Sequence, residues 1–300
     1  MKTFKDKVAV ITGAGSGMGR YLAILLAQDG ADVCVTDVNE DTLNETVEML
    51  RKYNISVSSH VLDVSDKESI EALPQKVIDQ HGKVDLVFNN AGVTTGSHFK
   101  DMDEKNWDWV MGINFDGVIN STRAFIPHMI DSPEAAIVNT SSIFGMVAVP
   151  GQTVYHATKF AVRGFTESLA LEMKATNPNL QIHCVHPGHI GTNIANYGVK
   201  NDRLDFDLDQ QNERPNLFGP KAKSKEEVGE LFKNQAPINA NTAAKIILKN
   251  IKKKNKRILV GGDARWFDRI QRFFPKKYIY LLPLIPLIGR LFPKDKLLDR

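Results

Sequence analysis

The feature that most constrains the fold is a glycine-rich turn between an apolar strand-like run and a helical pattern. Residues 7–11 read Lys-Val-Ala-Val-Ile, a β-branched run typical of a strand buried on both faces. Residues 12–19 then read Thr-Gly-Ala-Gly-Ser-Gly-Met-Gly. Apolar residues recur at helical spacing after this turn, at Leu22, Ile24, Leu25 and Leu26. A strand, a glycine turn and a helix in this order predict the first unit of an open, parallel α/β sheet.

The same turn indicates a binding function. Glycines let the backbone approach a pyrophosphate, and the helix that follows directs its N-terminal N–H groups at the negative charge. A glycine-rich turn alone is a weak signal, but this one stands between a strand and a helix, as a dinucleotide site requires. The sequence therefore predicts a phosphate-binding turn at the start of the first helix.

An acidic residue ends the second strand-like run, which covers residues 31–36. Asp37 comes eighteen residues after Gly19, close to where a carboxylate accepts hydrogen bonds from the ribose hydroxyls of adenosine. Such a carboxylate would repel the 2′-phosphate of NADP, so the position favours NAD. Asp37 could instead cap the next helix, although Asn39 is also able to do so.

A second group of polar residues follows a later apolar run, residues 136–140. Ser142 comes just after that run, and Tyr155 and Lys159 are four residues apart at the start of a predicted helix, so both would lie on one face. A nearby ammonium lowers the pKa of a phenol, and a fall from about 10 to about 7 would make tyrosine a base at neutral pH. A Tyr-x-x-x-Lys pair alone is an ordinary helix-surface pair. The serine at the carboxyl end of a strand, where open α/β sheets bind their ligands, is what favours a site.

Together these motifs resemble the classical short-chain dehydrogenase/reductase family, over about residues 5–192. The resemblance implies a Rossmann-type α/β domain over residues 1–262, with a doubly wound parallel sheet of about seven strands flanked by helices. It also implies an oxidoreductase that transfers a hydride between an alcohol or carbonyl substrate and a nicotinamide cofactor.

Four residues match the catalytic positions of that family: Asn114, Ser142, Tyr155 and Lys159. The resemblance gives Tyr155 the role of general acid/base, and Lys159 the roles of lowering its pKa and holding the ribose. It makes Ser142 a hydrogen-bond partner of the substrate oxygen, while Asn114 steadies a proton relay.

The resemblance also places the cofactor site. The family's TGxxxGxG motif falls on Gly13, Gly17 and Gly19. Ser16 stands before Gly17, where NADP-preferring relatives commonly carry a basic residue, whereas Arg20 keeps NADP open as an alternative. The full set of matched cofactor positions is Gly13, Ser16, Gly17, Met18, Gly19, Asp37, Asp63, Val64, Asn90, Ala91, Gly92, Tyr155, Lys159, Pro187, Gly188, Ile190 and Thr192. We therefore predict NAD as the cofactor, with NADP less favoured.

Some matched residues have a plain structural alternative. Without the resemblance, residues 89–92 would be interpreted as a turn, since Asn and Gly are turn residues. Asn114 lies within a predicted helix over residues 106–130, where it could simply tie two helices together. Ser141 competes with Ser142 for the serine role, and the family spacing points to Ser142.

Metal and disulfide chemistry are not expected. His186 and His189 resemble a ligand pair only superficially, because no carboxylate or cysteine partner completes a metal-ligand pattern with them, so we predict no metal. Cys34 and Cys184 lie in apolar runs without CxxC spacing, so we expect reduced core residues in a cytoplasmic protein. The absence of an apolar export segment before the first strand supports the same expectation.

Charge is distributed unevenly along the chain. Residues 245–300 carry 16 Lys and Arg against four Asp, a net charge of +12, whereas the whole chain carries +3, so residues 1–244 carry −9. Residues 193–237 are polar with weak periodicity, and the resemblance makes them the substrate lobe. The ends of the chain therefore differ in kind.

Beyond residue 262 the chain departs from the family pattern. Asp263 can cap a helix with an apolar and a basic face, formed respectively by Trp266, Phe267, Ile270, Phe273 and Phe274 and by Arg265, Arg269 and Arg272. Residues 278–292 are apolar but too few, and too broken by proline and glycine, to span a bilayer, which needs about 20 residues. We hypothesise that the C-terminal extension, residues 263–300, rests on an anionic membrane surface or in a subunit interface. The alternative is that its apolar residues pack on the core of the enzyme itself.

The partners expected are a small apolar alcohol or carbonyl substrate and further copies of the chain. The resemblance implies a homodimer or homotetramer paired through the helices that carry Asn114 and Tyr155. We expect no nucleic acid as a partner. Two other functions are alternatives: an NADP-dependent carbonyl reductase, and a non-catalytic dinucleotide-binding sensor or scaffold. The complete Asn, Ser, Tyr and Lys set argues against the second.

Overall fold

A computed structural model of the protein describes residues 1–200 and 224–281. In chain order its strands are β1 (Val8–Thr12), β2 (Asp32–Asp37), β3 (Val57–Val61), β4 (Leu86–Asn89), β5 (Ala135–Thr140), β6 (Leu180–Pro187), β7 (Ile190–Gly191), β8 (Ile238–Asn239) and β9 (Arg257–Val260). Its α-helices are α1 (Gly17–Gln28), α2 (Glu40–Leu50), α3 (Lys67–His81), α4 (Glu104–Met111), α5 (Gly117–Phe125), α6 (Thr153–Thr176), α7 (Ile194–Lys200), α8 (Lys225–Gln235), α9 (Ala240–Lys252), α10 (Gly262–Phe273) and α11 (Tyr278–Leu281).

Seven of these strands form one parallel sheet in the order β3-β2-β1-β4-β5-β6-β9, and β7 pairs with β8 in a second sheet. The strand order runs outwards in both directions from the β1–β4 pair. The winding direction therefore reverses there, and the loops after these two strands leave a crevice at the carboxyl edge of the sheet. The predicted Rossmann-type, doubly wound sheet of about seven strands is confirmed.

Alternate residues of β1 pack on the two faces of the sheet, as the period of a strand requires. Ala9 and Ile11 belong to the apolar cluster that includes α1 and α9, whereas Val8 and Val10 belong to the cluster that includes α3, α5 and α6. Leu26 of α1 is fully buried, and burial of such a side chain stabilises the fold by about 1.5–3 kcal/mol.

The two cysteines are free and buried, as predicted. Burial raises the pKa of Cys34 to about 11 and that of Cys184 to about 12. Both thiols therefore stay protonated at neutral pH and act as small core residues.

The single helix predicted over residues 106–130 is interrupted. α4 passes into a π-helical turn, Gly112–Asp116, before α5 begins, and the chain then forms a short 3₁₀ turn, Ile126–His128. At the start of α5, a Cβ added to Gly117 would lie 2.9 Å from the carbonyl oxygen of Val64, so this glycine permits close packing on the loop after β3. π-turns of this kind are frequent at functional sites.

The C-terminal helix α10 packs on the loop that follows β5. It begins after Gly261, whose φ is 110°, so the predicted capping role of Asp263 is wrong and Asp263 lies inside the first turn. Ala264 and Phe267 are buried in a cluster with residues of that loop, namely Ile143, Met146 and Val147. This part of the extension therefore lies against the protein's own core.

The C-terminal end of α10 is exposed, unlike its first turns. Phe273 and Phe274 are exposed, so the apolar face predicted for this helix is divided between a buried half and an exposed half. Across residues 1–200 and 224–281, no helix combines the length and the apolar character needed to cross a membrane. Residues 201–223 of the predicted substrate lobe and residues 282–300 of the extension lie outside the described residues.

Candidate active site

Ser142 lies just beyond β5 and caps a 3₁₀ turn, where its Oγ accepts a hydrogen bond from Phe144 N at 3.1 Å. The neighbouring hydroxyl of Ser141 is already committed, because it donates to the carbonyl oxygen of Lys159 at 2.7 Å. Ser142 is the serine whose side chain acts on Tyr155. The Ser141 hydroxyl is thus occupied by the backbone of α6, and the choice of Ser142 for the serine role stays a prediction.

Tyr155 and Lys159 lie one turn apart near the start of α6. The Lys159 Nζ is 5.5 Å from the centroid of the Tyr155 ring, and it donates to the carbonyl oxygen of Thr140 at 3.1 Å. Phe144 packs edge-on against Tyr155, with the ring centroids 6.2 Å apart and an interplanar angle of 88°. The chain therefore brings the hydroxyl, the phenol and the ammonium together at the carboxyl end of β5.

The pKa of Tyr155 is shifted in the direction opposite to the one predicted. Burial raises the pKa of Tyr155 to about 12, and a hydrogen bond with Ser142 opposes this by less. Burial also lowers the pKa of Lys159 to about 8. The predicted lowering of the phenol pKa by Lys159 is thus absent from this arrangement, because desolvation disfavours the charged form of both groups. At neutral pH the phenol holds its proton.

Asn114 lies in the π-helical turn and is fully buried. Its Oδ1 accepts from Val93 N at 2.8 Å, while its Nδ2 donates to Val93 O at 2.9 Å and to Thr158 Oγ1 at 3.4 Å. The side-chain amide therefore links the loop after β4 to α6, and both the proton-relay role and the alternative of a tie between two helices stay predictions.

The loop after β4 lies against the catalytic group. A Cβ added to Gly92 would be 3.3 Å from Asn114 Oδ1 and 3.5 Å from Lys159 Nζ. At its other end the loop is held by Thr12, whose Oγ1 accepts from Asn90 N at 3.0 Å and from Ala91 N at 3.1 Å. Sequence reasoning gave Thr12 no role of its own, because its partners are more than seventy residues away.

The glycine turn after β1 is shaped for close approach. Gly13 has a φ of +64°, and an added Cβ would lie 2.8 Å from Ala91 Cα, while a Cβ at Gly19 would collide with Gly13 O. Gly17 has a φ of +52° and faces Thr192, whose Cγ2 would be 3.3 Å from an added Cβ. Predicted cofactor residues that are far apart in sequence therefore meet at the start of α1.

The N-terminus of α1 suits an anion. In the described part of the chain, Ser16 occupies the N-cap without a side-chain cap, and the first turn holds no acidic residue. Met18 in this turn packs partly on the apolar cluster that includes α1 and α9. Backbone N–H groups at such a terminus favour a phosphate.

Asp37 ends β2 beside this turn. Its Oδ2 accepts from Gly15 N at 2.8 Å and its Oδ1 accepts from Asn39 N at 3.0 Å. Asn39 caps α2 by accepting from Thr42 N, so the alternative of Asp37 as the helix cap is wrong. The carboxylate therefore braces the glycine turn at the position predicted for a ribose.

Family comparisons agree with this geometry. The family model described as short chain dehydrogenase matches residues 7–202. The chain belongs to the short-chain dehydrogenase family.

Two curated relatives show how far the likeness extends. The putative oxidoreductase SadH of Mycobacterium tuberculosis H37Rv is 37% identical over 279 residues, which cover 93% of this chain and 94% of that protein. The 3-oxoacyl-[acyl-carrier-protein] reductase FabG of Thermotoga maritima is 38% identical over 188 residues, 63% of this chain and 76% of that protein. The likeness to SadH therefore reaches beyond the short-chain dehydrogenase domain into the C-terminal part.

Solved structures carry both nicotinamide cofactors. A short-chain dehydrogenase/reductase from Burkholderia phymatum in complex with NAD has a TM-score of 0.77 at 30% identity, covering 94% of this chain and 96% of that one. A metagenomic short-chain oxidoreductase in complex with NADP has a TM-score of 0.58 at 31% identity, covering 61% and 83%. This protein is thus an oxidoreductase of a family whose members bind NAD or NADP.

Two of the predicted cofactor residues, Asp63 and Val64, follow β3 in this short-chain dehydrogenase. Val64 is buried, whereas Asp63 is exposed and accepts from Ser65 N at 2.9 Å. Tyr197 of α7, which sequence reasoning missed, stacks on Trp109 with ring centroids 6.5 Å apart. Burial and the charges of Asp37 and Asp63 raise the pKa of Tyr197, so α7 lies within electrostatic range of both carboxylates.

The segment from Pro187 at the end of β6 to Thr192 just after β7, which we call the cofactor loop, carries four predicted cofactor residues: Pro187, Gly188, Ile190 and Thr192. Its backbone is held by Asp263 of α10, whose Oδ2 accepts from His189 N at 2.6 Å and whose Oδ1 accepts from Ala264 N at 2.9 Å. Burial raises the pKa of Asp263, and the bonds from these two amides oppose the rise. Sequence reasoning missed this contact, because Asp263 is 74 residues from His189.

The two histidines of this region contact backbone. His186 is fully buried, with Nδ1 3.1 Å from Ser142 O, and burial lowers its pKa to about 4. Since a carbonyl oxygen only accepts, the neutral ring donates from Nδ1 and steadies the backbone of Ser142. His189 Nε2 lies 2.6 Å from Phe232 O in α8. Within the described ranges no three His, Cys, Asp or Glu side chains cluster as metal ligands.

Proposed function

We propose that this protein transfers a hydride between NAD and an apolar alcohol or ketone, with Tyr155 exchanging the hydroxyl proton. The observation that carries the proposal is the convergence of Ser142, Tyr155 and Lys159 at the carboxyl end of β5, beside the glycine turn and Asp37. Catalysis of this kind needs a proton donor, a hydrogen-bond partner for the oxygen and a nearby cation, and the three side chains supply them.

With its phenol protonated, Tyr155 can act as the acid in carbonyl reduction. A bound nicotinamide cofactor would deliver the hydride to the carbonyl carbon, and the phenol of Tyr155 would give its proton to the oxygen. That proton is in place at neutral pH, since the pKa of Tyr155 is about 12. Lys159, with a pKa of about 8, supplies positive charge beside the phenolate that forms. Ser142 steadies the carbonyl oxygen during the transfer.

NAD is the proposed cofactor because of the groups around the ribose position. The Asp37 carboxylate would accept bonds from two hydroxyls but would repel a phosphate. Arg20, the residue that left NADP open, donates to Glu45 Oε2 at 2.8 Å and to Thr42 O at 3.0 Å, so its guanidinium is engaged by α2. An NADP-dependent carbonyl reductase is accordingly the second candidate function.

An apolar substrate is proposed from the surroundings of Tyr155. Phe144 packs on its ring, and Met146 and Val149 follow in the same loop cluster. The relative from Thermotoga maritima is named a reductase of 3-oxoacyl chains, and a structural neighbour at 26% identity is a levodione reductase, so both names describe carbonyl reduction.

The test is a screen of ketones and alcohols of graded chain length and ring size, each with NAD(H) and NADP(H). Turnover is measured from the change in absorbance of the reduced nicotinamide. We expect turnover that rises with apolar size and is larger with NAD(H). Tight cofactor binding without turnover of any compound would instead support the non-catalytic sensor.

Asp263 is proposed as a positioning residue for the cofactor loop. Asp263→Ala would leave His189 N and Ala264 N without their acceptor, and we expect the KM and dissociation constant for NAD to rise about fivefold to tenfold, with a smaller change in kcat. Asp268→Ala is the matched control, because Asp268 lies on the same helix as Asp263 and pairs with Arg257 of β9 and with Arg272. Equal losses of NAD affinity in both variants would reduce Asp263 to a stabilising residue of α10.

A homodimer is proposed through the outer face of α6. Phe160 and Leu171 are 41% and 68% exposed on one face of this helix, and between them Gly164 has open space around an added Cβ. We expect Leu171→Asp to raise the dimer dissociation constant at least about tenfold, because it buries an unpaired charge, while Met49→Asp on α2 has no such effect. Light scattering over a dilution series measures this. A wild-type monomer at every concentration would refute the proposal.

A further inference from the structure

The surface at the end of α10 carries exposed apolar side chains among positive charges. Phe273, Phe274, Ile279 and Tyr280 are 76%, 51%, 59% and 78% exposed. We call these four residues, together with Arg269, Lys276 and Lys277, the C-terminal face. Large apolar side chains that stand together in water are typical of an interaction surface.

The charge of this face has one sign. From residue 269 to residue 281 the sequence holds Arg269, Arg272, Lys276 and Lys277 and no acidic residue. The acidic residue just before this segment in sequence, Asp268, is buried and pairs with Arg257 at 2.7 Å. Lys276 and Lys277 are exposed in the turn between α10 and α11, so two exposed lysines stand between Phe274 and Tyr280 in the chain. An anionic surface is the partner that such a pattern fits.

The opposite side of the same segment is fixed to the protein. Phe267 is buried in the loop cluster, and the Tyr278 hydroxyl accepts a hydrogen bond from Ala148 N at 3.3 Å. Ala148 belongs to the loop between Ser142 and Tyr155. The segment that carries the face is therefore fixed to the loop between Ser142 and Tyr155, so that little ordering is needed before it binds.

We propose that the C-terminal face docks the protein on the surface of a bilayer that contains anionic phospholipid. Phe273, Phe274 and Ile279 enter the boundary between headgroups and acyl chains, and Tyr280 lies at headgroup level, where tyrosine is enriched. Arg269, Lys276 and Lys277 approach the phosphates. The association is interfacial and does not require a spanning helix.

The test is co-sedimentation of the full-length protein with vesicles of phosphatidylcholine alone, or of equal parts phosphatidylcholine and phosphatidylglycerol. We expect binding to the anionic vesicles only, weaker at 1 M than at 0.1 M salt, because the screening length falls from about 10 Å to about 3 Å. Lys276→Glu with Lys277→Glu should lower the partition coefficient at least about tenfold, and Phe273→Ser with Phe274→Ser should also lower it.

Matched controls change the same residue types elsewhere. Lys52→Glu with Lys76→Glu reverses two exposed lysines, and Met49→Ser removes an exposed apolar side chain, and both should bind as wild type does. Thermal unfolding measures whether each variant is folded. If the double phenylalanine variant does not fold, the double lysine variant alone decides the test.

Three results would overturn the proposal. The first is a wild-type protein that ignores anionic vesicles. The second is equal binding by the face variants and wild type, which would assign docking to another part of the chain. The third is light scattering in which the face variants separate a dimer while vesicles leave the protein in solution, because the face would then contact a second copy.

Discussion

Replacing Tyr155 with phenylalanine is expected to lower kcat at least about 100-fold while leaving the fold and NAD binding intact, because the phenol hydroxyl is the proposed proton donor. The substitution removes one hydroxyl and keeps the ring. The edge contact with Phe144 and the approach of Lys159 Nζ both involve that ring, so the packing of α6 should persist. Turnover is measured with the best substrate of the screen, and NAD binding by fluorescence titration.

Tyr21→Phe is the matched control for this loss. Tyr21 lies on the outer side of α1 and is 37% exposed, so removal of its hydroxyl should change kcat by less than about twofold. Turnover of Tyr155→Phe above about 10% of wild type would exclude the phenol as the essential acid/base, since removal of such a group typically costs about 100-fold or more.

The second large effect concerns cofactor choice. We expect wild-type kcat/KM to favour NAD over NADP at least about tenfold, and Asp37→Ala to narrow that ratio, because the carboxylate repels a 2′-phosphate. Asp37 also accepts a hydrogen bond from Gly15 N at 2.8 Å, so alanine removes a brace of the glycine turn together with the charge. Activity with NAD should therefore fall while activity with NADP rises or holds.

Asp37→Asn separates the two effects. Asparagine keeps an oxygen for Gly15 N but has no charge, so it should narrow the NAD preference with a smaller rise in the KM for NAD than alanine causes. Asp41→Ala, an exposed acid in the first turn of α2, controls for the general loss of negative charge and should leave the ratio unchanged. A wild-type preference for NADP would contradict the assignment of Asp37 and favour the carbonyl reductase alternative.

The sequence predicted the sheet because its strands have strong local patterns. Runs such as residues 7–11 are apolar and β-branched, and a parallel sheet buries them on both faces. The break at Asn114 was not predictable in this way, because apolar spacing continues through it. The π-turn lies beside Gly117, which packs against the backbone of Val64, a contact between residues far apart in sequence.

The candidate site was predicted where spacing alone determines position. Tyr155 and Lys159 are one helical turn apart wherever the helix lies, and Asn39 proved to be the better cap once Asp37 was engaged by Gly15. The predicted direction of the Tyr155 pKa shift was wrong, because the shift depends on burial and burial is determined by the whole fold. Asp263 was interpreted from its neighbours in sequence, whereas its partner His189 belongs to another element.

The helix Gly262–Phe273 touches two loops of the site at once. Asp263 holds the cofactor loop at His189, and Phe267 packs on the loop that begins at Ser142. The exposed end of the same helix is the proposed lipid contact. If docking changes the affinity for NAD by some factor, thermodynamic reciprocity requires NAD to change the affinity for lipid by that same factor. The time this enzyme spends on a bilayer would then follow its cofactor occupancy, so one short helix would link cofactor binding to where the enzyme is found.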